Sequence, residues 1–198
     1  DTGADFQTLF NNMKRLKVEV KEIDFVFLSH IHSDHTGGLE GLLEKNSNLT
    51  VYLPKSFPED FKEKIRAYGA RVSEISQPTE IFDGIYSTGE LGSWIKEQSL
   101  VIRTSKGLII ITGCAHPGIV EIIKRAKELG NVYLVMGGFH LIGKNKEEIK
   151  GIVEEFKNFG VKKVSPCHCS GDEAIEEFER EYKEDFIRCG VGKVIEVV

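Results

Sequence analysis

What this 198-residue sequence lacks narrows its reading first. It has no apolar run near the ~18–20 residues a membrane-spanning helix requires, so no membrane partner is expected. It has no surplus of basic residues: 26 Lys and Arg against 31 Asp and Glu leave a net charge of −5. No nucleic-acid footprint is therefore indicated. Cysteine is scarce, and the four present do not form the dense framework of a small secreted domain. Three of them lie within two residues of a histidine, which points to metal chemistry in a reducing, cytoplasmic compartment. With five prolines and one tryptophan, the sequence holds no Pro-rich linker, low-complexity stretch or convincing repeat, and a single domain over 1–198 is expected. The opening residues carry no signal-peptide pattern. Its start, Asp1-Thr2-Gly3, reads like the end of a strand whose beginning is missing, so a truncated N-terminus is expected.

What is present alternates between strand-length apolar runs and amphipathic helices, an α/β pattern. Strands are predicted at Phe25–Ser29, Thr50–Leu53, Arg71–Ile75, Glu80–Ser87, Val132–Met136, Val161–Ser165, Phe186–Cys189 and Lys193–Val197. Ser99–Thr104 and Leu108–Thr112 form a predicted hairpin about Ser105-Lys106-Gly107. Helix faces run through Leu39, Leu42 and Leu43; through Phe61, Ile65 and Tyr68; and through Ile119, Ile122, Ile123, Ala126 and Leu129. Two more run through Ile149, Ile152, Val153, Phe156 and Phe159, and through Ala174, Ile175, Phe178 and Tyr182. Gly69, Gly130 and Gly160 are stop signals. The Lys/Glu-rich stretches Lys144–Lys150 and Glu176–Glu184 read as solvated helix faces.

All six histidines follow predicted strands: His30, His32 and His35 after the first, then His116, His140 and His168. In α/β folds ligands gather beyond the carboxyl ends of strands. The densest segment is Ser29-His30-Ile31-His32-Ser33-Asp34-His35. Residues two apart in an extended loop face one side, so His30 and His32 can share an ion. Asp34 and His35 continue the turn, and four ligands in six residues can support a pair of ions.

His30, His32, Asp34 and His35 resemble the His-x-His-x-Asp-His signature of the metallo-β-lactamase superfamily, and the resemblance covers nearly the whole chain. Asp1-Thr2-Gly3 is similar to the family's Asp-Thr-Gly, whose aspartate supports the metal site from behind its ligands. Leu108–Cys114 is similar to the strand ending in Gly-Asp, whose aspartate bridges the metals; Cys114 stands in its place. Val164–His168 resembles the strand carrying the last metal-binding histidine. Thr112–Val120, Gly137–Leu141 and Cys167–Gly171 look like one branch, commonly labelled 7,8-dihydropterin-6-methyl-4-(β-D-ribofuranosyl)aminobenzene-5′-phosphate synthase. The resemblance implies an αββα sandwich of two mixed sheets flanked by helices, with the family's N-terminal strands missing.

It also implies two divalent ions, zinc first and iron or manganese as alternatives. One set is His30, His32 and a third ligand, which the family takes from a Gly-His-Thr segment. Ser87–Gly92 holds Glu90 there and no histidine, so either His116 swings in, the preferred solution, or Glu90 coordinates directly. The other set is Asp34, His35, His168 and Cys114, unless Cys114 is a small buried strand-end residue. Cys167 and Cys169, in an extended segment, point away from His168 and read as packing. His140 lies outside the family set; it contacts substrate, donates a proton to the leaving group, or is structural. Pro117 and Gly118 precede a helix and are candidates to bind an anion.

The expected chemistry is hydrolysis by a metal-activated hydroxide, with Asp34 orienting a metal and the nucleophile. The expected substrate is a small anionic molecule: a phosphate ester or phosphodiester, then a thioester or lactone. A pterin-linked synthase of methanopterin type and a non-catalytic metal-binding relic are the alternatives. Diiron members carry a carboxylate where His32 stands, which argues against redox chemistry. Oligomeric state is not readable.

Overall fold

The computed structural model describes residues 1–197, which divide into two compact units, Asp1–Gln77 and the described residues from Pro78 onward.

The smaller unit is built on a three-stranded sheet, β1 (Phe25–Phe27), β2 (Thr50–Pro54) and β3 (Arg71–Ile75), parallel throughout in the order β1-β2-β3. Parallel neighbours need crossover connections, supplied here by helices. The single turn α2 (Ser33–Thr36) and α3 (Leu39–Lys45) lie between β1 and β2, and α4 (Glu59–Ala67) between β2 and β3; α1 (Phe6–Leu16) precedes β1. Leu28, Leu39, Leu42, Leu43, Leu49, Val51, Leu53 and Ile65 form its buried core. α1 lies outside the predicted helices, although Phe6, Leu9, Phe10 and Met13 stand at helical spacing and pack on this core. Asp5 caps it, its carboxylate accepting from the Thr8 N–H at 2.8 Å.

The larger unit holds a six-stranded mixed sheet in sequential order: β4 (Thr79–Phe82), β5 (Ile85–Ser87), β6 (Leu100–Thr104), β7 (Gly107–Thr112), β8 (Val132–Gly138) and β9 (Lys163–Cys167). β4 to β7 pair antiparallel, and β7 to β9 pair parallel. Helices α5 (Ile119–Lys127), α6 (Lys146–Asn158) and α7 (Asp172–Tyr182) complete it. Its core includes Val101, Ile110, Ile122, Val135, Val164 and three mutually packed rings, Phe139, Phe156 and Phe178, with centroids 5.0 to 5.5 Å apart. α6 starts on a reciprocal capping box between Asn145 and Glu148.

Three expectations are corrected. The strand predicted at Glu80–Ser87 is a hairpin, because Asp83-Gly84 turns the chain with Gly84 at φ 74°. Phe186–Cys189 and Lys193–Val197 do not form strands among the described residues; Phe186 makes one parallel bridge to Val164. Of the two sheets expected to be mixed, the larger is mixed and the smaller is parallel. Among the described residues, no helix is long and apolar enough to cross a membrane.

Candidate metal centre

In the smaller unit, β1 delivers the chain into the His30–His35 loop, and Asp1 organises it. The Asp1 carboxylate accepts from the Ser29 N–H at 2.7 Å and the Ser29 hydroxyl at 2.8 Å, and its Oδ2 meets His35 Nδ1 at 2.7 Å. Against a carboxylate, Nδ1 is the protonated nitrogen, so the hydrogen-bond network assigns His35 the tautomer whose Nε2 carries the lone pair, the form a metal ligand needs. Asp34 Oδ2 lies 3.4 Å from that Nε2. His30 is fully buried, its Nδ1 beside Ser29 Oγ at 2.9 Å and its Nε2 3.1 Å from His32 Nδ1. Two imidazole nitrogens on one tetrahedral zinc, each at ~2.0–2.1 Å, stand roughly 3.4 Å apart. The His30–His32 spacing therefore fits one ion with little movement. Thr2 ties the loop from behind: its N–H and hydroxyl both donate to the His35 carbonyl, at 2.7 and 3.1 Å.

In the larger unit, the chemistry lies past the carboxyl ends of three neighbouring strands. Thr112 of β7 is level with Gly137 of β8, and Gly138 with Cys167 of β9. The donors follow directly: Cys114 and His116 after β7, His140 after β8, His168 and Cys169 after β9. Each loop holds one non-glycine residue in the left-handed region: Ala115 at φ 65°, His140 at φ 53° and His168 at φ 53°. Such conformations persist where surrounding structure enforces them. Here Phe139, 1% exposed, anchors the β8 loop, and its N–H donates to Ser170 Oγ at 3.1 Å. A side chain at Gly138 would place its Cβ 2.3 Å from the Gly113 carbonyl oxygen and 2.7 Å from Cys169 Sγ, so only glycine lets the strand ends approach this closely.

The Cys114–His116 turn rests on Glu97, a residue the sequence reading did not single out. Its carboxylate, in a residue 1% exposed, accepts three successive backbone N–H groups: Oε1 from Cys114 at 2.9 Å and Ala115 at 2.8 Å, and Oε2 from His116 at 2.9 Å. The left-handed Ala115 turns those amides toward one point, a nest filled by the protein's own anion.

Cys114 is buried, and its sulfur lies within 4.8 Å of a ligand nitrogen of His116, of His168 and of His140. Cys169 does not point away into packing. His168–Ser170 is a short 3-10 turn rather than an extended segment, and in its thiol form Cys169 Sγ donates to the Cys114 carbonyl at 3.4 Å. The neighbouring Cys114 thiol, then His140, hold the Cys169 thiol well below its usual range, at about 5, against the opposing effect of burial. Burial, reinforced by Cys189, pushes the Cys167 thiol up to about 12. Glu90 belongs to no cluster of three potential metal ligands among the described residues. Pro117 has no N–H, and the Gly118 N–H is given to the Ala115 carbonyl at 2.9 Å, so neither offers an amide to an anion.

A histidine- and aspartate-rich loop after a strand, with further histidines and a cysteine after strand ends, defines a metalloprotein class. The Metallo-beta-lactamase superfamily profile matches residues 1–129, and the chain belongs to that superfamily. It is 34% identical to the 7,8-dihydropterin-6-methyl-4-(beta-D-ribofuranosyl)-aminobenzene-5'-phosphate synthase of Methanocaldococcus jannaschii, over 98% of this chain and 82% of that protein. The solved structure of a metal-dependent hydrolase of the beta-lactamase superfamily superposes with TM-score 0.82 and 30% identity, covering 100% of this chain and 87% of the other. The metallo-beta-lactamase fold protein YhfI from Bacillus subtilis superposes with TM-score 0.69 at 14% identity, covering 94% and 82%, a likeness of fold alone.

Proposed function

We propose that this chain is a two-metal hydrolase acting on a small anionic ester, with a phosphate ester or phosphodiester first and a thioester or lactone second. The observation that carries it is the His30 Nε2–His32 Nδ1 spacing of 3.1 Å, beside a His35 whose tautomer Asp1 selects. The donors proposed as ligands are His30, His32, Asp34 and His35 in the smaller unit and Cys114, His116 and His168 in the larger. Imidazole with thiolate favours zinc, with iron or manganese as alternatives. Divalent cations held there would lower the pKa of a coordinated water and polarise a substrate oxygen.

The chain's own residues do the rest. Asp1 keeps the proton on His35 Nδ1. Asp34, exposed on α2, is the carboxylate placed to accept a proton from the attacking water. Glu97 holds the Cys114–His116 turn in place. The start of α5 is the candidate seat for the substrate's negative charge, with the amides of Ile119 and Val120 rather than those of Pro117 and Gly118 as donors.

A second reading, a pterin-linked synthase, is favoured by the 34% identity to the named synthase. One experiment separates them. Elemental analysis of the purified protein is expected to give about two ions per chain. Metal-loaded protein is then offered a panel of phosphodiesters, thioesters and lactones. Separately it is offered a 7,8-dihydropterin whose 6-methylene carries a diphosphate leaving group, with 4-(β-D-ribofuranosyl)aminobenzene 5′-phosphate as the attacking amine; C–N bond formation would release diphosphate. Turnover of the panel that disappears in His30→Ala supports hydrolysis. Condensation product with an inert panel moves the assignment to synthesis. Metal content well below one ion, unchanged by added zinc, iron or manganese, overturns both and leaves the relic reading.

A further inference from the structure

The larger unit brings Cys114 together with two donors, His140 and Cys169, that neither the family signature nor the proposed hydrolytic set accounts for. Cys114 Sγ, a ring nitrogen of His140 and Cys169 Sγ lie within 4.8 Å of one another. One comes from the end of each of three adjacent parallel strands, β7, β8 and β9. We propose that they form a distinct Cys2His site for a thiophilic cation, zinc by preference, with its fourth position open.

Three features of the backbone support a built site rather than a chance meeting of side chains. His140 and His168 both sit at φ 53°, and these two left-handed residues turn the His140 ring and the Cys169 thiol toward Cys114. Gly138 leaves the space Cys169 occupies, since a Cβ there would stand 2.7 Å from its sulfur. Phe139, immobilised in the core among Phe156 and Phe178, fixes the residue just before His140. On a tetrahedral zinc with Zn–S of ~2.3 Å, two sulfurs stand roughly 3.8 Å apart, so loading the site asks for a contraction of about 1 Å or less. Cys114 is buried and Cys169 half-buried, while His140 is exposed, which leaves the open position toward solvent. Two thiolates and an imidazole select a softer ion than the histidine–aspartate loop does.

The site goes beyond the proposed hydrolytic reading, because it needs no residue of the smaller unit. Cys114 is common to both ligand sets, and a thiolate has lone pairs enough to serve two ions. The site gives His140 the role of a ligand in place of the proton donor its sequence context suggested.

Cobalt(II) substitution of the whole chain tests it, since thiolate–cobalt charge transfer reports sulfur ligands and nothing else. The His30→Ala/His32→Ala double variant is expected to lose metal but keep the thiolate–cobalt band. Cys169→Ser is expected to lose roughly half of that band, one thiolate of two. His140→Asn, which tolerates a left-handed backbone, is expected to weaken cobalt affinity ten-fold or more. Cys189→Ser is the control and leaves the band intact. Thermal melting of each apo variant identifies one that has failed to fold, and His140→Asn then carries the test alone. The inference is overturned if Cys169→Ser and His140→Asn both keep the full band and affinity, or if the wild type shows no thiolate band. A band that vanishes in an Asp34→Ala/His35→Ala variant also overturns it, because the sulfur then belongs to the hydrolytic set. Failure of the hydrolytic reading looks different: an intact band with no second ion bound and no turnover.

Discussion

Replacing Glu97 by glutamine probes the support of the Cys114–His116 turn with almost no change of shape. The carboxylate is buried and receives three N–H groups, two on Oε1 and one on Oε2. A glutamine can keep its oxygen on the Cys114 and Ala115 amides. Its NH2 group then faces the His116 N–H, donor against donor. The lost bond to a charged group is worth about 1.5–3 kcal/mol, and a buried amide left without an acceptor costs a further ~1 kcal/mol or more. The two surviving bonds also weaken when the acceptor loses its charge. A total near 3 kcal/mol follows, and at ~2–4 °C per kcal/mol for a chain of this size it corresponds to a fall in Tm of about 6–12 °C. Glu97→Ala, which strands all three amides, is expected to cost more than Glu97→Gln. The assay is thermal unfolding of metal-free protein by circular dichroism, followed by metal titration of the survivors. A Glu97→Gln protein that melts within ~1 °C of wild type and takes up metal normally would refute the reasoning.

Two further outcomes are expected. Asp1→Asn removes the charge that fixes the proton on His35 Nδ1, and metal affinity is expected to fall about 10–100-fold in a chelator competition; a change under two-fold would mean that Asp1 does not set the His35 tautomer. Phe178→Ala opens a cavity among Phe139, Phe156 and Tyr182 and is expected to destabilise the fold by about 3–5 kcal/mol in denaturant unfolding. A loss under ~1 kcal/mol would show that the three rings do not behave as a close-packed core.

The sequence makes the His30–His35 loop legible because its ligands are local: a buried strand, then donors two residues apart. Cys114, His116, His140 and His168 are legible as residues following strands, and the parallel order of β7, β8 and β9 turns that shared position into neighbourhood. Glu97 is not legible, since it meets its partners 17 to 19 residues away through backbone amides that leave no residue-type signal. Cys169 is misread for a related reason. The inference that it points away from His168 assumes extended backbone, and the left-handed His168 breaks that assumption. The β4–β5 turn, by contrast, was readable, because Asp83-Gly84 is a strong hairpin signal set between two short apolar runs. The predicted C-terminal strands show the opposite error: β-branched residues form a pattern, but among the described residues the pairing stops at the Phe186 bridge and the Ile187 N–H donated to the Val164 carbonyl.

The left-handed residues Ala115, His140 and His168 carry a consequence for how this protein can change. An L-residue in that region costs about 1–2 kcal/mol, and glycine there costs far less. Glycine at 140 or 168 would therefore relieve backbone strain in the same step that deletes a donor. Selection for heat resistance alone would push these two loops toward glycine, and only selection for what the imidazoles bind would hold them back. Variants recovered from a stability screen without a metal requirement should accumulate changes at these positions, marking the boundary between what the fold needs and what the site demands.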